Sequence, residues 1–160
     1  MLLLKKIIIF IVVFTWVQKS TAQVFGYKSF KLFEDNQPFK INTLYKNAEG
    51  FIYAGTTNGL YTFDGKKFNK VHFSVPTAKD TVTAVFEDDK KQIWAGFKNG
   101  KIAKKINGKL QYFEPEEGTP KVAITAFLQD KKNNIWFATN GEGIYYFSNN
   151  HLYLINEAEG

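Results

Sequence analysis

The chain has 160 residues, 44% of them hydrophobic and 22% charged, a composition that is typical of a globular protein and excludes a disordered one. All 21 basic residues are Lys, which argues against sites that hold phosphate, carboxylate or guanine with the fork of an Arg side chain. The chain has no Cys and two His, which excludes disulfides and thiolate chemistry and leaves little material for His-based catalysis or zinc. We expect no catalytic residues, no cofactor and no metal.

The net charge of +6 overstates the basic character of the folded part. Three Lys residues precede position 20, and without them the charge is +3. The remaining Lys residues alternate with Asp and Glu, which favours a solvated surface over a nucleic-acid footprint. We therefore expect no nucleic-acid partner.

The chain opens on a pattern that is typical of an export signal. Two Lys residues precede an apolar run at 7–17, and Ser20 and Ala22 are small residues at the spacing of a cleavage site. We expect residues 1–22 to be a signal peptide that is cleaved between Ala22 and Gln23, which gives an exported, periplasmic protein. The alternative is an uncleaved anchor, but a membrane span needs about 20 apolar residues and Lys flanks this run on both sides.

The rest of the chain contains three copies of one unit. Residues 41–47 align with 82–88 and 124–130, and a short polar turn follows each copy. The next segment of each copy carries an aromatic residue, and successive ones are 41 and 42 residues apart: Tyr53, Trp94 and Trp136. Asn-Gly or Asp-Gly pairs then separate further short apolar runs, and such pairs are typical of type I′ hairpin turns.

Each unit is predicted to form four short antiparallel strands, which is the sequence signature of a β-propeller blade. The fold class is therefore all-β, with three repeats in what we expect to be an incomplete ring. The expected divisions after the signal peptide follow in chain order: a lead-in with an outer strand (23–40), blade 1 (41–81), blade 2 (82–123), blade 3 (124–155) and a truncated linker to a missing blade (156–160).

Two sets of residues in the repeat have predicted structural roles. Trp94 and Trp136 are expected to pack between blades rather than to bind a ligand. Asn47, Asp88 and Asp130 are expected to cap the turn after the first strand, because no carboxylate cluster surrounds them that would favour a metal.

The pattern resembles the two-component regulator propeller repeat of bacterial periplasmic sensors. Residues 53–60 together with 63–65 form the copy most similar to that repeat, whereas Phe97 and Lys101 depart from it in the second copy. The third copy has Ala138 in place of a Gly and an inserted residue pair. The resemblance covers about residues 27–155 and implies the sensor region of a Bacteroidota-like hybrid histidine kinase.

Three blades do not close a propeller, which uses four to eight. We therefore expect these residues to be the N-terminal piece of a longer protein or of a broken reading frame. An isolated arc of three blades exposes strand edges and apolar faces, so we expect it to pair with missing C-terminal blades or to self-associate.

The functional hypothesis that follows from the resemblance is a non-catalytic segment of a two-component sensor, which contributes to ligand sensing or dimerisation. An oligosaccharide is a possible ligand, and Tyr45, Phe86 and Phe127 are candidate contacts, although packing is the simpler role for each. Ligand-binding residues are otherwise unknown. The alternative is an exported structural or assembly propeller that binds protein partners without signalling. An enzyme is disfavoured, because His72, His151 and the acidic loop at 114–117 do not form a converging set.

We predict that the exported protein begins at Gln23. N-terminal sequencing of the secreted product tests this, since a product that starts at Met1 would show that the apolar run is retained as an anchor.

Overall fold

The computed structural model describes residues 26, 29, 33–34, 37–74, 80–149 and 151–155. The chain divides into two compact units, Met1–Lys31 and Leu32–Gly160. In the first unit, Gly26 and Ser29 are described, and both are exposed and outside regular secondary structure. The predicted signal peptide lies outside the described residues, with its Ala22–Gln23 cleavage site, and so does the linker at 156–160. The outer strand predicted for the lead-in corresponds to residues 27–32, of which only Ser29 is described.

The described residues of the second unit form fourteen β-strands. In chain order they are β1 (Phe33–Glu34), β2 (Gln37–Pro38), β3 (Ile41–Lys46), β4 (Ile52–Thr56), β5 (Gly59–Phe63), β6 (Phe68–Lys70), β7 (Val82–Glu87), β8 (Ile93–Phe97), β9 (Ile102–Ile106), β10 (Lys109–Phe113), β11 (Ile124–Gln129), β12 (Ile135–Thr139), β13 (Ile144–Ser148) and β14 (His151–Ile155). Within the described ranges, no helix has the length and apolarity that crossing a membrane requires.

Strands β3 to β14 form three four-stranded antiparallel sheets, each with its strands in sequence order. We call them blade 1 (β3–β6), blade 2 (β7–β10) and blade 3 (β11–β14); β1 and β2 form a separate two-stranded pair. The first strand of each blade has a register shift near its start, as between Val82 and Ala84. The prediction of an all-β fold with three four-stranded antiparallel repeats is confirmed.

The hairpin turns match the predicted type in one place and differ in others. At Asn107–Gly108 both residues have positive φ, 50° and 78°, as a type I′ turn requires. At Asn58–Gly59 the glycine alone is positive, so this Asn-Gly pair forms a different turn. Its geometry is fixed instead by the Thr56 hydroxyl, which accepts from the Asn58 N–H at 3.0 Å and donates to the Gly59 carbonyl at 2.8 Å.

Most of the core lies between neighbouring blades, and a smaller cluster around Ala54 and Tyr61 lies on the opposite face of blade 1. One cluster joins blades 1 and 2 around Tyr53, Leu60 and Phe97, and a second joins blades 2 and 3 around Trp94 and Phe137. Trp94 is 3% exposed, so its predicted packing between blades is confirmed. Trp136 differs, because it is only half-buried and its neighbours along β12 are the ones that face blade 2.

Two glycines allow the blades to approach each other closely. A Cβ atom built on Gly96 lies 2.6 Å from the Ile124 side chain of blade 3, and one built on Gly55 lies 2.7 Å from the Val82 side chain of blade 2. Both distances are far below a van der Waals contact, so each glycine provides the space that the next blade's first strand occupies.

We predict that Gly96→Ala lowers the free energy of unfolding by about 1–3 kcal/mol, because the added methyl overpacks the interface with Ile124. Urea denaturation measures the change. Gly26→Ala is the control, since a Cβ there meets nothing within 4 Å. Equal stability of the Gly96→Ala and Gly26→Ala proteins would contradict the close approach.

Candidate functional site

A carboxylate clamp closes the turn after the first strand of blade 2. The Asp88 carboxylate accepts hydrogen bonds from the backbone N–H groups of Lys90 and Gln92, each at 2.9 Å, and from the Trp94 indole N–H at 2.8 Å. Asp88 is 7% exposed. The turn is therefore built by one side chain that caps the backbone and fixes the ring that packs against blade 3.

The same clamp recurs in blade 3 at Asp130. Its carboxylate accepts from the Trp136 indole N–H at 2.9 Å and from the backbone and side-chain N–H groups of Asn134. These bonds, the indole bond foremost, lower the pKa of Asp130 from 3.8 to about 2. In blade 1, the side-chain oxygen Oδ1 of Asn47 accepts from the Phe51 N–H at 2.8 Å. The predicted turn-capping role of all three residues is confirmed.

Two hydrogen bonds recur at each interface between neighbouring blades, which we call a seam. At the second position of the first strand, a side chain donates to the first carbonyl of the next blade: Asn42 to Val82 at 2.9 Å and Thr83 to Ile124 at 2.6 Å. At the sixth position, the side chain of the following blade accepts from the turn of the preceding one. These contacts join Ala48 N–H to Glu87 and Asp89 N–H to Gln129, each at 2.8 Å.

The three aromatic residues considered as ligand contacts pack at these seams. The rings of Tyr45 and Phe86 meet edge to face with centroids 6.1 Å apart. Phe127 lies between the rings of Trp94 and Phe137, at 6.4 and 5.9 Å. Each ring is half-buried and contacts an inter-blade core cluster, which supports packing as its role.

A lysine lies within the aromatic seam between blades 2 and 3. The Lys104 ammonium is 4.2 Å from the centroid of the Trp94 ring, 4.5 Å from that of Phe113 and 5.5 Å from that of Phe147. Burial lowers the pKa of Lys104, and the nearby Asp88 carboxylate opposes that shift. The aromatic faces supply the attraction that keeps a half-buried cation in this seam.

A cavity of about 290 Å³ lies at the edge of blade 2, close to the lower end of the usual range for ligand pockets, about 300 Å³. We call it the edge cavity. It is lined by aromatic, charged and small residues: Lys101, Tyr112, Phe113, Glu114, Pro115, Gly118 and Thr119. The Lys101 ammonium lies 4.6 Å from the Tyr112 ring centroid, and the Tyr112 hydroxyl donates to the Asp80 carboxylate.

The two histidines lie at separate places in the fold. His151 begins the outermost strand of blade 3, and its Nδ1 is 2.8 Å from the Glu117 carboxylate, whose pKa this hydrogen bond lowers. His72 is exposed in the segment after β6, and its carbonyl accepts from the Leu110 N–H of blade 2 at 2.8 Å. The acidic loop thus contacts one of the two His residues and also contributes Glu114 to the edge cavity.

Comparison with known proteins identifies the repeat. Residues 118–141 match the family model described as two component regulator propeller, a segment that spans β11 and β12. The third blade therefore contains one match to this propeller repeat. No curated protein sequence matches the chain.

Solved structures share the propeller fold. The extracellular domain of a putative hybrid two component system from B. thetaiotaomicron is 21% identical, with a TM-score of 0.65 over 82% of this chain. That of a putative one component system from the same organism is also 21% identical, with a TM-score of 0.62 over 75% of this chain. This chain spans 19% and 17% of those two proteins. A virginiamycin B lyase from Staphylococcus aureus is 15% identical, with a TM-score of 0.56 over 71% of this chain and 41% of its own.

Sequence reasoning did not predict the edge cavity. Its walls come from three parts of the chain: Lys101 just before β9, the end of β10 at Tyr112 and Phe113, and the loop at 114–119. The one available signal was the Pro and Gly in that loop, which indicated a defined turn. The structure shows that turn as a hydrogen bond from the Gly118 N–H to the Pro115 carbonyl at 2.9 Å.

We predict that Asp130→Asn makes the protein less stable at neutral pH and makes its stability less dependent on pH in acid. Because the folded pKa of about 2 lies below 3.8, the ionised carboxylate stabilises the fold above about pH 4, and this contribution is lost as the pH falls towards 2. Thermal unfolding between pH 7 and pH 2 measures both effects. Asp89→Asn, a change at an exposed position in the equivalent turn of blade 2, is the control; an equal response in both variants would contradict the clamp.

Proposed function

We propose that this chain is a non-catalytic β-propeller segment of an exported two-component signalling sensor, and that it contributes to ligand sensing or to dimerisation. The observation that carries the proposal is the match of residues 118–141 to the two component regulator propeller, within a chain that repeats the same four-stranded sheet three times. The extracellular location of the B. thetaiotaomicron domains supports export of this chain, as does its basic and apolar N-terminal pattern.

The edge cavity supports an oligosaccharide as the ligand. Tyr112 and Phe113 supply apolar atoms against which a sugar packs, and Lys101, Glu114 and Thr119 supply a cation, a carboxylate and a hydroxyl for its polar groups. An apolar wall with a few polar groups is the usual composition of a small-molecule site.

The absence of catalysis is part of the proposal. General acid–base chemistry needs titratable groups within reach of one reacting atom. In the described part of the chain, His151 is paired with an exposed Glu117, and His72 lies on a segment that follows a different blade. Carboxylates such as Asp88 and Asp130 are occupied in capping turns.

A second candidate function is that of an exported assembly propeller that binds protein partners without signalling. It is favoured by exposed apolar residues on the faces of blades 1 and 3 that point away from blade 2, where Leu44 is 63% and Leu128 is 62% exposed. Surfaces of this kind mark sites of association.

The two candidates differ in what the gene encodes around this segment. Sequencing of the coding region beyond the codon for Gly160 distinguishes them. Further repeats, a membrane span and a histidine kinase in the same frame are expected for a sensor. A stop or a short sorting domain in their place would favour the assembly function.

We predict that Lys101→Met weakens the binding of an acidic or neutral oligosaccharide about tenfold, because it removes the cation from the edge cavity. Isothermal titration against a panel of plant and host polysaccharide fragments measures the affinity. Lys109→Met, a substitution of an exposed Lys on β10 outside the cavity, is the matched control. Equal affinities for both variants, or no binding by the parent protein, would contradict the role of this cavity.

A further inference from the structure

The sheet of blade 3 has an outward face, which is the side that points away from blade 2. It carries a cross-strand row in which the Trp136 ring stacks on Tyr146 at 4.7 Å and Tyr146 stacks on Tyr153 at 4.8 Å. Large apolar side chains on it are exposed, Leu128 by 62% and Ile144 by 48%. The equivalent face of blade 2 is buried against blade 3, with Trp94 at 3% exposure.

The donors that join one blade to the next recur on this face. Thr125 occupies the second position of β11, where Asn42 and Thr83 donate to the first carbonyl of the following blade. Thr125 is exposed. Lys131 occupies the turn position from which the N–H groups of Ala48 and Asp89 donate to the following blade. Blade 3 therefore presents the half of the seam that a further blade would complete.

One residue changes the shape that this seam accepts. Ala138 stands in β12 where blades 1 and 2 have Gly55 and Gly96. A Cβ at either glycine lies 2.6–2.7 Å from the first side chain of the following blade, which is Val82 or Ile124. Ala138 already has that methyl group, so a β-branched residue in the same place on an incoming blade overlaps with it.

We propose that the outward face of blade 3 binds a further four-stranded blade with a small residue, Ala or Gly, at the first position of its first strand and Glu or Gln at the sixth. A blade fits this face because the face continues the two seams already formed, with the same donors in the same places. This inference goes beyond the sensor function and does not depend on it.

The same geometry excludes blade 1 of a second copy as the occupant. Blade 1 has Ile41 at the first position, which overlaps with Ala138. It has Lys46 at the sixth position, where Glu87 and Gln129 accept a hydrogen bond. An ammonium group has no lone pair to accept the Lys131 N–H. Both differences oppose head-to-tail growth of copies, which would produce open filaments.

The test adds a fourth blade to the full chain. A copy of residues 77–121 after Gly160 keeps about ten residues between blades, as in the linker between blades 2 and 3. Four versions of this fusion are compared. Residues 1–160, the host, are either unchanged or carry Ala138→Gly, and the added blade has either Val or Ala at the copy of position 82. We expect the parent host to dock the Ala version, with a melting temperature about 5 °C higher than with the Val version, and the Ala138→Gly host to dock both.

The acceptor is tested in the same fusion. Replacing the copied Glu87 by Lys in the docked version is expected to lower the melting temperature, whereas replacing the copied Lys90, in the turn that follows, by Met is not. Tryptophan emission, compared between the versions, also reports docking, because burial of Trp136 shifts the emission to the blue while the other tryptophans are common to all versions. Equal melting and emission for all four versions, or no effect of the Glu-to-Lys change, would overturn the proposal.

Whether copies of the chain associate through this face is tested separately. Sedimentation velocity of the double variant Ala138→Gly, Lys46→Gln is expected to show concentration-dependent oligomers that disappear when Thr125→Val is added. The parent chain is expected to show no association that Thr125→Val removes. If the parent chain forms oligomers that Thr125→Val dissociates, copies already join through this seam, and the proposal of a different blade as the occupant is wrong. If the double variant stays monomeric, Ala138 and Lys46 are not what prevents self-association.

Discussion

A four-stranded blade has two faces and cannot bury either one by itself. The placement of the core and the contacts between blades follow from this constraint. The two larger core clusters lie between sheets, and the largest buried side chains come from strands that face a neighbouring blade. Apolar burial supplies the driving force, at roughly 25 cal/mol for each Å² removed from water. The stability of a blade is therefore a property of its seams, as in other repeat proteins.

The seams combine a non-directional force with directional bonds. Apolar packing alone would tolerate a sliding of one sheet against the next. The bond from Thr83 to the Ile124 carbonyl fixes the near end of the seam, and the bond from Asp89 N–H to Gln129 fixes the far end of the same strand. With both ends fixed, Gly96 is held against Ile124. The register of the blades is thus set by hydrogen bonds that each contribute little to the free energy of folding.

The sequence predicted the features that repeat and missed the features that occur once. The spacing of Trp94 and the identity of Asp88 sufficed to predict a buried ring and a capped turn, because both roles are local and recur every 41 or 42 residues. Lys104 looked like a surface charge, and its place among three rings depends on Phe147 of the next blade. The edge cavity and the turn at Asn58–Gly59 likewise depend on side-chain contacts that the spacing of residues in the repeat does not predict.

The hydrogen bonds across the seams connect residues that are 39 to 41 positions apart in the chain. Each seam thus closes a loop of one repeat length, and the entropy cost of closing it is the same for each seam that is added. Folding can then proceed as a sequence of equal steps from the first blade onward, with each completed sheet serving as the template for the next. The export proposed for this chain would release the blades in this order, and stepwise folding during translocation agrees with the contacts that hold the blades together.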